Sequence, residues 1–257
     1  MTGLLWRVFV LWIAVFGMPQ IGAAQAGDNG FVVVLDPGHG GIDPGASGAG
    51  LIEAELMLSF AVELQTVLTR TPGTRVILTR EGDNFVPLTD RLGTASASNA
   101  SVFISLHADA LEHGAAQGAT LYTLAPFADD LGADIAARHA WGAGDAVPLG
   151  DDLTRVLIDL ERQETAPRAR DLARAIIQDI GRAGGPLNTH ALREGDLMVL
   201  RLGSIPSVLI ELGFLSSPRD AQNLQDPEWR KRMAGAIAGA LHRWQQDDAA
   251  LRKVSRQ

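Results

Sequence analysis

Four polar residues stand where this chain could do chemistry. His39 lies in the middle of "VVVLDPGHGGIDPGASG" (Val32–Gly48), a glycine- and proline-rich turn after a β-branched run. Glu53 opens the periodic segment that follows it. His107 comes directly after a second apolar run in "FISLHAD", and Glu211 ends a third in "PSVLIEL". Two histidines and one carboxylate, here His39, Glu53 and His107, are the ligand set of a catalytic zinc with a fourth position open for water. Bound zinc lowers the pKa of that water to about 7 and polarises a carbonyl. A carboxylate that does not bind metal is then needed to move protons, and Glu211 is placed for that role. A carboxylate at the end of so apolar a run is costly unless paired, protonated or bound. Plainer readings exist for each residue. A histidine after a strand is usually a polar loop residue. Glu53 could be a first-turn glutamate favoured by the helix dipole, and Glu55 is a rival two residues on. The glycine turn has neither of the glycine spacings that cradle nucleotide phosphates.

The elements around these residues explain how they could meet. "FVVVLD" (Phe31–Asp36) reads as a buried central strand. Leu56, Phe60, Leu64, Val67 and Leu68 have helical spacing, and Thr71-Pro72-Gly73 ends that helix. Further strands are predicted at Thr74–Arg80, Val102–Leu106, Gly118–Leu124 and Pro206–Leu212. A helix is predicted across Leu88–Ala100, and another from Pro227 to Gln246, followed by a frayed polar tail. Alternating strands and helices with long crossovers argue for an α/β domain with a largely parallel sheet. Ligands in such sheets sit beyond the carboxyl ends of the strands, where His39, His107 and Glu211 all fall. Residues 141–186 interrupt the alternation. They hold one or two helices, around 151–165 and 167–182, and read as a helical insertion near the site.

Composition sets the limits. The chain has 257 residues and a net charge of −8, which disfavours a nucleic-acid partner. It has no cysteine, so disulfides and thiolate metal sites are excluded. Arg7, the eleven apolar residues Val8–Met18 and the A-x-A pattern Ala24-Gln25-Ala26 read as a secretory signal peptide over residues 1–26. The apolar run is too short for a membrane span, which needs about 20 residues. Residues 27–257 would then form the exported, periplasmic domain.

In order, "VVVLDPGHGGIDPGASG", "GLIEAELMLSFAVEL", "VILTR", "FISLHAD" and "PSVLIELGFLSS" resemble the signature blocks of the zinc-dependent N-acetylmuramoyl-L-alanine amidases of the Amidase_3 type. The resemblance spans Phe31 to Trp244. It implies a six-stranded sheet flanked by helices, and cleavage of the amide between N-acetylmuramic acid and the L-alanine of the peptidoglycan stem peptide. It puts the Zn²⁺ ligands on His39, Glu53 (not Glu55, from "EAEL") and His107, and the catalytic glutamate on Glu211. It also implies that the insertion plugs the zinc cleft, with Glu164, or less favourably Glu161, reaching the metal until a LytM-type activator displaces it. Arg80 and Arg91 match recurrent arginines, read as structural, and His190 is read as a surface-loop residue. Two other readings stand beside this one: a peptidoglycan-binding module that no longer cuts, and a zinc hydrolase that cuts another cell-wall amide.

Overall fold

A computed structural model of the chain describes residues 30–111, 116–124 and 152–254. The expected signal peptide and residues 141–151 of the expected insertion lie outside the described residues. The described elements are β1 (Phe31–Pro37), β2 (Ser47–Gly48), β3 (Leu51–Ile52), α1 (Glu53–Leu68), β4 (Thr74–Leu78), α2 (Leu88–Ala97), β5 (Val102–His107), β6 (Ala119–Leu124), α3 (Asp152–Arg182), β7 (Leu187–Gly195), a single 3-10 turn (Met198–Leu200), β8 (Ser207–Glu211), α4 (Pro218–Gln225) and α5 (Pro227–Val254).

Six strands form one sheet in the order β4-β1-β5-β8-β6-β7. All neighbours run parallel except β6 and β8. This is the mostly parallel, helix-flanked sheet that the sequence implies. The unbroken Val32–Leu35 run of β1 follows from cover on both faces, since neither face can then carry polar side chains. Successive residues alternate between two cores. Val33, Leu35, Ile104, Leu106, Val208 and Ile210 pack in the larger core with α1, α3 and α5. Val34, Phe103, Leu209 and Tyr122 pack in the smaller core with α2 and the 3-10 turn. Continuing that alternation, Asp36, Ser105, His107 and Glu211 all project to the α2 face at the sheet's carboxyl edge.

Several elements differ from the sequence expectations. No strand is predicted over "LNTHALREG", which is polar and has no apolar alternation, yet β7 forms there. It is an edge strand that needs a partner only in β6, and most of its side chains stay in contact with water. His190 therefore lies in a strand, and it is exposed. Among the described residues of the 141–186 stretch, the segments on either side of Pro167 form one helix, α3. Proline in a helix interior removes a hydrogen bond and costs about 3 kcal/mol. Burial of Leu172, Ala173, Ile176 and Ile180 in the larger core offsets that cost. The second half of α3 is thus a layer of the domain, not an appendage. α5 runs to Val254, past the expected fraying point. Arg168 of α3 makes a two-pronged ion pair with Asp248 at 2.6 and 2.9 Å and holds that end in place. The short α4 was not foreseen, although "SSPRD" carries its start signal. Ser217 Oγ accepts from the Asp220 N–H at 3.3 Å, and Pro218 sits at the first helical position.

Candidate active site

The carboxyl ends of β1, β5 and β8 meet the start of α1. His39 follows β1 with a backbone φ of 60°, a left-handed conformation that non-glycine residues seldom adopt. Its Nε2 lies 3.3 Å from Glu53 Oε2. The other oxygen, Glu53 Oε1, lies 3.0 Å from His107 Nδ1. One ligand atom from each of His39, Glu53 and His107 falls within 4.8 Å of the others, so this trio could hold a metal ion. The sequence left Glu55 open until the family pattern chose between the two. Glu53 is buried and Glu55 is exposed, on the outer side of the first turn.

The three residues of "HAD" tie the site together. His107 contributes its ring. The N–H of Ala108 donates to Glu53 Oε1 at 3.0 Å, and the N–H of Asp109 donates to Glu211 Oε2 at 3.0 Å. Glu211 stands beside His107 in the register of two parallel strands. The backbone of one turn therefore aims both carboxylates.

The glycine turn makes room for this convergence. A Cβ on Gly38 would lie 2.2 Å from His107 Cε1, inside the imidazole. A Cβ on Gly45 would lie 2.7 Å from both Glu53 Oε2 and His39 Cδ2. We expect Gly38→Ala to displace the His107 ring and to weaken binding of any metal ion held by the trio about tenfold or more. A chelator competition titration measures this.

Two buried arginines brace the turn. Arg80 donates to the carbonyls of Pro37, Gly38 and Ala54 at 2.7–2.9 Å. Arg91 donates to the carbonyls of Pro37 and His39 and to Asp36 Oδ1, each at 2.8 Å. Both guanidinium groups are engaged with the backbone that carries His39 and Glu53, which is the structural part read from the sequence. Burial, with Arg91 close by, lowers the Arg80 pKa to about 10.

The electrostatics separate the two glutamates. Burial works against the ionised form of Glu53, yet hydrogen bonds from His107 and His39 hold it well below the usual carboxylate range. For Glu211 burial comes first, and the negative charges of Asp109 and Glu53 add to it, pushing the carboxyl well above that range. Burial would lower the His39 pKa, but hydrogen bonds to Asp43 and Glu53 raise it to about 10 in the metal-free protein.

Glu164 is not brought to this cluster. It is exposed on α3, next to Thr165, whose Oγ1 donates to Gly203 O at 2.7 Å. Gly203 precedes the amino end of β8, whereas Glu211 is at the carboxyl end. Glu164 thus sits at the opposite edge of the sheet, against the expectation that it reaches the metal. The Glu161 side chain and residues 125–151 lie outside the described residues. His190 also stays apart, on the edge strand beyond β6. The sequence reading missed Asp43, Ser105 and Asp109. Period-two alternation from His107 could have found Ser105, and the four-residue step from His39 could have found Asp43.

Comparison with known proteins points one way. Residues 33–243 match the family model Amidase_3, described as N-acetylmuramoyl-L-alanine amidase. The chain is 34% identical over 236 residues to the N-acetylmuramoyl-L-alanine amidase AmiC of Neisseria meningitidis, covering 88% of this chain and 55% of that protein. It is 35% identical over 218 residues to the amidase AmiA of Escherichia coli, covering 80% of this chain and 73% of the relative. The chain thus spans about half of the first relative and about three quarters of the second. Among solved structures, the amidase AmiC2 of Nostoc punctiforme superposes with a TM-score of 0.59 at 28% identity, over 84% of this chain and 97% of that one.

Proposed function

The chain belongs to the N-acetylmuramoyl-L-alanine amidase family Amidase_3, and on that premise we propose that it is a zinc-dependent peptidoglycan amidase. The bond cut is the amide between the lactyl group of N-acetylmuramic acid and the L-alanine of the stem peptide. The observation that carries the reading is the His39–Glu53–His107 trio, its glutamate and second histidine buried, with a second, separately held carboxylate, Glu211, beside it. The donor set suits zinc: two neutral imidazole nitrogens and one ionised carboxylate, with no thiolate in the chain.

His39 Nε2, a Glu53 oxygen and His107 Nδ1 would hold the ion. Zinc held there would supply Lewis-acid polarisation of the lactyl carbonyl and would acidify a water. Glu211 does the proton work. Its carboxylate takes a proton from the attacking water as the C–O bond forms, and then delivers it to the departing L-alanine nitrogen as the C–N bond breaks. Burial and the nearby charges of Asp109 and Glu53 raise its proton affinity, which suits the proton-holding step, while the positive charge of an ion held by the trio would favour the ionised form that the first step needs. The products are a free lactyl carboxylate and a free amine. Chelation of the purified protein should stop solubilisation of labelled sacculi, and stoichiometric zinc should restore it. Activity unchanged by complete metal removal would sink the zinc reading.

We further propose export to the periplasm with removal of residues 1–26, and a role in cell-wall remodelling and daughter-cell separation. The charged n-region, short apolar run and A-x-A site support the export step. Among the described residues no helix is long and apolar enough to cross a membrane. N-terminal sequencing of the exported protein should begin at Gly27. A chain that keeps Met1 would argue for an uncleaved anchor. Control of the site by residues 141–186 and a LytM-type activator rests on the family resemblance. Addition of such an activator should raise the rate of sacculus digestion, and an unchanged rate would remove it from the proposal.

A further inference from the structure

Each histidine of the trio shows one ring nitrogen to Glu53 and the other to a different kind of partner. His39 turns Nε2 toward Glu53, while its Nδ1 lies 2.8 Å from Asp43 Oδ2. Asp43 is itself fixed. Its Oδ1 accepts from the Gly45 N–H at 3.1 Å, and its backbone pairs with Gly40 at 2.7 and 3.2 Å. His107 does the reverse: Nδ1 faces Glu53, and Nε2 lies 3.1 Å from Ser105 Oγ. The Ser105 hydroxyl donates in turn to Asp36 Oδ2 at 2.7 Å. Asp36 is buried and fully engaged. Its Oδ1 accepts from Thr79 Oγ1 at 2.6 Å and from Arg91 at 2.8 Å. Because the Ser105 hydroxyl hydrogen is committed to Asp36, its lone pairs are left to accept the Nε2–H of His107.

We propose that Asp43 and the Ser105–Asp36 relay are positioning residues that fix the two ligand histidines in opposite tautomers, His39 binding through Nε2 and His107 through Nδ1. This rests on the metal-site reading above and deepens it. A ligand histidine held through its second nitrogen keeps its ring orientation and becomes a better donor, and losing that partner typically costs 10–100-fold in metal affinity. The two devices differ in strength. Asp43 places a carboxylate directly on the ring, whereas Ser105 passes the influence of Asp36 through a neutral hydroxyl, and Arg91 balances the charge. Asp43 should therefore matter more.

The test uses the zinc-loaded full domain and needs no turnover. Long-range ¹H–¹⁵N correlation spectra of the histidine rings should show the proton on Nδ1 of His39 and on Nε2 of His107. Chelator competition should show Asp43→Asn weakening zinc binding by about 10–100-fold and Ser105→Ala by about tenfold. Ser105→Thr, which keeps the hydroxyl, should bind like the parent. Asp36 is avoided as a test site because its removal leaves Arg91 buried and unpaired. Melting of the chelated variants separates a folding defect from a ligand defect. Inverted tautomers, or parent-like zinc affinity in both Asp43→Asn and Ser105→Ala, would overturn the inference while leaving the metal site standing. A parent protein that takes up no zinc would overturn the metal-site reading itself, and this inference with it.

Discussion

Replacing Glu211 with glutamine should leave zinc binding intact and lower turnover about a thousandfold. A positioned acid–base group contributes about 10²–10⁴-fold, and Glu211 is placed to act twice, first on the water and then on the leaving nitrogen. The substitution keeps the side-chain shape and still offers an oxygen to the Asp109 N–H, which now lies 3.0 Å from Oε2. It removes the ability to take a proton. The fold should survive, because the ionised form is already disfavoured at this buried position and a neutral amide suits it better. The paired measurement is zinc content by elemental analysis together with the rate of release from labelled sacculi. Zinc lost along with activity would move Glu211 into the metal shell. Turnover within about threefold of the parent would remove it from the mechanism.

His39→Ala should abolish both metal binding and activity, a larger and different failure. Two ligands from Glu53 and His107 are too few for a site that needs three protein ligands. The same substitution has a signature in the chelated protein. There the folded state raises the His39 pKa from 6.5 to about 10, so its ion pairs with Asp43 and Glu53 stabilise the metal-free fold. That contribution is fully present below the unfolded value and is lost as pH rises through the folded one. The melting temperature of the chelated parent should therefore fall between about pH 6.5 and pH 10. In His39→Ala this part of the slope should vanish. Metal uptake near neutral pH should also release protons, because the ligand nitrogen must be deprotonated to bind. A variant that keeps zinc at parent affinity would strike His39 from the ligand set.

Much of this site was legible because sheet geometry and side-chain chemistry reinforce each other. Val32–Leu35 is too uniformly apolar for anything but a buried strand. His39, His107 and Glu211 each follow or end such a run, where a parallel sheet gathers side chains at its carboxyl edge. Glu53 was harder. Composition could not separate it from Glu55, and the decision depends on which side of the α1 turn faces inward. Asp43 and Ser105 escaped because polar residues in a glycine turn or inside a strand have many ordinary uses, and only distances reveal their partners. β7 escaped for a related reason: an edge strand owes its structure to one neighbour, and "LNTHALREG" carries no apolar pattern of its own. The sequence leaves one or two helices open around Pro167 because local propensity argues for a break there, whereas burial of the following turns keeps α3 whole. The Glu164 expectation came from family likeness rather than from spacing, and the path of α3 takes that residue to the other end of the sheet.

The most direct test of the central claim is the chemistry of the products. Purified sacculi would be digested with the chain from Gly27 onward, with and without chelator and with Glu211→Gln as control, and the soluble fragments read by mass spectrometry. The account predicts intact stem peptides that begin with a free L-alanine amine, together with glycan strands that keep the lactyl carboxylate, both absent from the chelated and Glu211→Gln samples. Fragments cut within the stem peptide or the glycan, or no fragments from a protein with zinc bound, would contradict it.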